Sequence, residues 1–98
     1  MIRSFARQGT VDVFDTHSTK AARKARPVSL WKVARRKLDQ LNQAHRLEDL
    51  RAPPANRLEK LKGNRQGQHS IRINDQYRLC FLWTEVGPES VEIVDYHS

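Results

Sequence analysis

At 98 residues the chain holds one small domain and cannot divide into two separate cores. It is 38% apolar and 30% charged, and its aromatic and β-branched residues gather in the second half, which excludes a wholly disordered chain. A net charge of +7 and a pI near 10.2 point to a polyanionic partner, nucleic acid foremost, against the plainer reading of a merely basic soluble protein. No apolar run reaches the roughly 20 residues that span a bilayer. Met1-Ile2-Arg3-Ser4-Phe5 leads into polar residues instead of a signal-peptide core, so a cytoplasmic protein is expected. Cys80 is the single cysteine, so it has no internal disulfide partner and is expected as a small buried hydrophobe in a reducing cytosol.

In chain order, Met1 to Phe5 is expected as a short edge strand with Ile2 inward. Ser4 or Thr10 is a candidate cap for a short helix over Val11-Asp12-Val13-Phe14, which Gly9 weakens. From Thr16 to Leu38 there is no acid and there are eight bases, and Pro27 divides this tract. After it, Ser29 suits the N-cap of a helix running to about Ala44, with Leu30, Val33, Ala34, Leu38 and Leu41 forming one apolar stripe. Lys32, Arg35 and Arg36 fall off that stripe and face solvent or an RNA partner. Leu47-Glu48-Asp49-Leu50 suits a single helical turn. Arg51-Ala52-Pro53-Pro54-Ala55 predicts an extended connection at the change from helix to sheet.

The stretch from Asn56 to Phe81 carries most of the functional signal. Leu58 and Leu61 precede a glycine-punctuated basic loop, Lys62-Gly63-Asn64-Arg65-Gln66-Gly67. Period-two alternation then predicts strands over Ser70–Ile73 and Tyr77–Trp83, joined by a turn at Asn74-Asp75-Gln76. Seven bases lie in or near this hairpin (Arg51, Arg57, Lys60, Lys62, Arg65, Arg72, Arg78), against Glu59 and Asp75 alone. Guanidinium groups on a rigid sheet suit a phosphodiester backbone. A turn over Glu85–Glu89 and a last strand, Ser90 to Tyr96, complete the order. Together these elements predict an α+β fold. A small antiparallel meander of three to four strands, plus an N-terminal strand, is packed by two to three helices.

The four histidines show no metal-ligand spacing, and one cysteine completes no zinc cluster. The Lys62–Gly67 loop leads into a strand, so it lacks the helix N-terminus of a nucleotide site. No metal and no cofactor are expected. What remains is acid–base chemistry on RNA: a base for the 2′-hydroxyl, cations for the extra charge, and an acid for the leaving 5′-oxygen. Lys62, Arg65 and Arg78 are candidates for the cations, and Asp95, Tyr96 and His97 for proton transfer. Taken singly, each has a plainer reading: Arg78 as the partner of an acid on the final strand, Tyr96 as a half-buried strand aromatic, His97 as a frayed end.

The run from Asn56 to Phe81, with LKG-x-R and SIRIND-x-x-R, together with Val91-Glu92-Ile93-Val94-Asp95-Tyr96-His97, resembles the HigB toxins of the RelE superfamily. Met1–Phe5 and Leu47–Pro54 match as well, and the resemblance is weakest between Ala6 and Val28. It implies a RelE-like fold and an mRNA interferase that cuts mRNA in the ribosomal A site without a metal. It also implies a HigA-type helix-turn-helix antitoxin, through which alone the toxin reaches operator DNA. By matching positions, Lys62 and Arg78 would stabilise the scissile phosphate and Asp95, Tyr96 and His97 would form the C-terminal group needed for activity. Lys32, Arg35, Arg36, Arg57, Lys60, Arg65 and Arg72 would grip RNA. Some HigB toxins carry histidine three residues before the loop lysine, where this chain has Glu59. The base is therefore open among Glu59, Asp95 and Tyr96. The rival reading is a non-catalytic RNA- or ribosome-binding inhibitor of translation.

Overall fold

The computed structural model describes residues 1–6 and 31–95. The helix expected over residues 11–14, the basic tract before Pro27, the Ser29 cap, and Tyr96 and His97 lie outside them.

One α-helix, α1 (Trp31–Gln43), is present among the described residues. Ala34, Leu38 and Leu41 recur along one side and are fully buried, and Lys32 and Arg36 are exposed on the other. Lys37, next to Leu38, is buried too. Two 3₁₀ turns follow, Leu47–Arg51 and Pro54–Asn56. The first is the expected single turn. Its entry is fixed by Asp49, whose carboxylate accepts the backbone N–H of His45 (3.0 Å) and Arg46 (3.1 Å). These two bonds hold its carboxyl below the usual range. The second turn replaces part of the extended connection predicted after Arg51. Proline is at home in the first position of a helical turn, and the side chain of Asn56 holds the turn against the rest of the fold.

Four strands form an antiparallel sheet in sequence order: β1 (Glu59–Lys60), β2 (Gln68–Arg72), β3 (Tyr77–Thr84) and β4 (Gly87–Asp95). The meander is as expected, but β4 begins at Gly87, where the sequence predicts a turn as far as Glu89. The reversal needs only Glu85 and Val86, because the Thr84 hydroxyl accepts the Val86 N–H (3.2 Å) and donates to the Gly87 carbonyl (2.6 Å). Between Cys80 and Leu82, β4 carries one extra residue, and Ser90 there adopts φ 52°.

The expected N-terminal strand is reduced to a single parallel bridge, Phe5 to Val91. Hydrogen bonds from Arg3 to Pro88 (2.8 Å), Val91 to Ser4 (3.1 Å) and Ala6 to Val91 (2.9 Å) nevertheless lay this segment along β4. Gly87 makes the approach possible: a Cβ there would lie 2.4 Å from the Met1 carbonyl oxygen. Ile2 and Phe5 are half-buried against the core, as expected of Ile2.

Helix and sheet close over Leu38, Leu41, Leu50, Ile71, Leu79, Phe81 and Val91, all essentially inaccessible to solvent. Each such side chain contributes on the order of 1.5–3 kcal/mol by leaving water. Cys80 is fully buried, as expected of a small apolar strand residue.

Candidate nucleic-acid interface

The register decides which candidates meet. Glu59 lies opposite Ser70, Ser70 opposite Cys80, and Cys80 opposite Glu92. Side-chain alternation then places Glu59, Ser70, Arg78 and Glu92 on one face of the sheet. The apolar positions Ile71, Leu79 and Phe81 take the face that packs on α1.

Arg78 is held from several directions. Its Nε donates to Ser70 Oγ (2.7 Å). Its Nη2 donates to the Arg57 carbonyl (2.6 Å) and pairs with Glu59 Oε2 (3.2 Å). The Arg78 side chain is 12% exposed and that of Glu59 is 59% exposed. So open a carboxylate contributes little to stability, within about 1 kcal/mol. An acid of β1 is thus one partner of Arg78, beside the final-strand acid to which the plainer sequence reading looks.

Arg65 is also anchored, to Glu92 Oε1 (2.9 Å) and Gln68 Oε1 (3.2 Å). This contact joins the basic loop to β4. Lys62 is exposed and lines an open cavity of about 430 Å³ with Lys60, Leu61, Gly63 and Gln66. The loop turns there through a 3₁₀ turn, Gly63–Arg65, with Gly63 at φ 64° and Gly67 at φ 92°. Both values favour glycine.

Asp95 is exposed at the end of β4, opposite Tyr77 and one register position beyond the Arg78–Val94 pair, and it accepts a bond from Gln76 Nε2 (3.2 Å). The remaining cations differ in how tightly they are held. Arg57 and Lys60 are exposed. Arg72 is paired with Asp75, which relieves the juxtaposition of two guanidiniums where Arg72 faces Arg78 across the strands. On α1, Lys32 and Arg36 are open, and Arg35 lies 4.0 Å from Asp39.

Three residues near the site carry little signal in the sequence. Ser70 is buried beneath Arg78, and Asn56 is a fully buried hub. His69, half-buried, stacks on Phe81 with ring centroids 6.4 Å apart, and burial, aided by Lys60, holds its imidazole below the ordinary value of 6.5. The only sequence signal for Ser70 is its place at the head of the SIRI run. For Asn56 it is the position shortly after a proline pair. Among the described residues no three His, Cys, Asp or Glu side chains gather as a metal site requires, and no helix is long and apolar enough to cross a membrane.

Comparison with known proteins places this geometry. A family profile described as RelE-like toxin of type II toxin–antitoxin system HigB matches residues 3–97. The toxin HigB-1 of Vibrio cholerae is 49% identical over 59 residues, which cover 60% of this chain and 62% of that protein. An uncharacterized protein of Haemophilus influenzae is 45% identical over 69 residues, covering 70% of this chain and 62% of its own length. The chain thus spans about 62% of the length of the curated relatives it matches. Among solved structures, the YoeB–YefM complex from Staphylococcus aureus contains a chain that superposes with a TM-score of 0.60 at 16% identity, over 100% of this chain and 99% of that one. At that identity the likeness is one of fold.

Proposed function

Since the chain belongs to the family of RelE-like HigB toxins of type II toxin–antitoxin systems, we propose that it is a ribosome-dependent, metal-independent endoribonuclease. In this reading it cuts mRNA in the A site and so stops translation and growth. The observation that carries the reading is Arg78, a guanidinium fixed by Ser70 and the Arg57 carbonyl beside the exposed cations of β1 and its loop. Such a group can meet charge that develops on a phosphate without first reorganising.

The step is a transesterification. A base takes the proton of the 2′-hydroxyl as its oxygen bonds to phosphorus. The bond to the 5′-oxygen breaks, and an acid protonates that oxygen. Arg78 and Lys62 balance the added charge on the phosphoryl oxygens. Glu59, already on Arg78, is a candidate base beside Asp95 and Tyr96, and His97 is a candidate acid. The exposed cations Lys32, Arg36, Arg57 and Lys60, with Arg35, Arg65 and Arg72, supply contacts to the RNA backbone, which are sequence-independent and salt-sensitive. A HigA-type helix-turn-helix antitoxin would neutralise the protein and link it to operator DNA, and both would act in the cytoplasm.

The test is cleavage of a defined mRNA by the purified protein, alone and on ribosomes, with EDTA throughout. Cuts confined to ribosome-bound message are expected. A protein that blocks translation without cutting would replace this reading with a non-catalytic ribosome binder.

A further inference from the structure

Among the described residues three polar or charged side chains are buried: Lys37, Asn56 and Ser70. All three lead to Arg78. Ser70 touches it directly. Asn56 stands one residue before the carbonyl that holds its Nη2, and Lys37 donates to Asn56 Oδ1 at 2.5 Å. The Asn56 amide nitrogen makes bonds to Gln40 Oε1 (3.2 Å), the Leu50 carbonyl (3.2 Å) and the Ala52 carbonyl (3.3 Å). One side chain thus ties α1 to the chain just before β1.

The next residue shows what this tie accomplishes. Arg57 adopts φ 46° and ψ 57°, a left-handed conformation that costs a non-glycine residue on the order of 1 kcal/mol. It persists because its surroundings impose it: the Asn56 side chain is immobilised, and the Arg57 N–H is bonded to Pro54 O (3.1 Å). That conformation sets the direction of the Arg57 carbonyl and starts the short path to Glu59. Both of these ligands sit on Arg78 Nη2.

We infer that Lys37, acting through Asn56, is a positioning residue for the Arg78 guanidinium, so that a buried residue of α1 sets the geometry of the candidate site without itself touching RNA. The inference rests on the proposed role of Arg78. It separates Lys37 from its helix neighbours Lys32 and Arg36, whose side chains are open to a partner. A buried ammonium is an expensive way to staple a loop, since an apolar residue of the same length would cost less desolvation. Burial first, then Arg36 and Arg72, lowers its proton affinity.

The experiment uses the full chain. Lys37→Met removes the donor to Asn56, and Lys37→Gln retains one. Two quantities are read: the single-turnover rate of cleavage on ribosomes, and the exchange of the Arg78 Nε–H with water by nitrogen-15 NMR, its signal assigned by loss in Arg78→Ala. In K37M the cleavage rate is expected to fall about ten- to a hundred-fold with KM little changed, and the Nε–H to exchange faster. K37Q is expected to recover most of both. Unchanged rate and exchange in folded K37M, with R78A inactive, would overturn the inference. If K37M does not fold, Gln40→Leu cuts another tie to Asn56 and is judged on the same two quantities. An R78A protein that still cleaves would instead overturn the catalytic role proposed for Arg78, while the exchange measurement would still decide whether Lys37 positions Arg78.

Discussion

The protein carries two kinds of cation. Arg78 and Arg65 are clamped into the sheet, each by a carboxylate and by further acceptors. Lys62, Lys60, Lys32 and Arg36 stand open on loop, edge strand and helix. An open lysine has a long, mobile stem and a strongly hydrated head, suited to capturing a polyanion from any angle. A clamped guanidinium has already lost that freedom to the fold, so little entropy remains to be lost when a phosphate docks. In the proposed function the clamped Arg78 meets the charge that develops on the phosphate, and open lysines such as Lys60 and Lys32 gather the RNA backbone.

Substitutions can break that contrast. The largest effect is expected at Arg78. Arg78→Ala should lower single-turnover cleavage by about a hundred- to a thousand-fold. Arg78→Lys should fare almost as badly, because an ammonium cannot reproduce the fork that spans Ser70, Arg57 and Glu59. Equal activity of the R78K and wild-type proteins would show that charge alone matters there.

A smaller effect is expected at the open cations. Lys62→Ala should weaken binding of uncleavable RNA several-fold and lower the slope of log K against log salt by about 0.7, the signature of one lost phosphate contact on a single strand. A rate defect without a change in that slope would move Lys62 into the clamped class.

The two kinds of cation also differ in how legible they are in the sequence. The α1 stripe and the SIRI and YRLCFLW alternation announce themselves by periodicity, and they place the helix and the hairpin, with the open cations near them. Contacts set by register are harder to see. Glu59 and Arg78 are 19 residues apart and meet because a two-residue strand happens to pair Glu59 with Ser70. Nothing in so short a strand specifies that alignment from sequence. Asn56 is less legible still: an asparagine shortly after two prolines reads as a turn residue, and only the folded chain brings Lys37 and Gln40 to its side chain. The early start of β4 is hidden by a proline, usually a poor strand residue, whose carbonyl serves the N-terminal segment instead.

The mildest test concerns a residue of neither class. Burial, aided by Lys60, holds the His69 imidazole below its ordinary value. Its folded-state affinity for protons is depressed, so the unfolded chain takes up the proton first as pH falls below the ordinary 6.5. The stability associated with the neutral ring is complete above that value and is lost progressively below it. Thermal midpoints between pH 7.5 and 5 should therefore fall less steeply for His69→Phe than for the wild type. Parallel curves would assign the acid sensitivity to other groups.

The seam between Met1–Ala6 and β4 has a consequence for biosynthesis. Its bonds join residues as far apart as Ser4 and Ser90, separated by 86 positions. A ribosome delivers the first partner long before the second, so the edge of β4 can be sealed only after β4 itself has emerged. Contacts of such long sequence separation are late and slow to form. The sheet thus stays unfinished at this edge until β4 has been made and can meet the N-terminal segment.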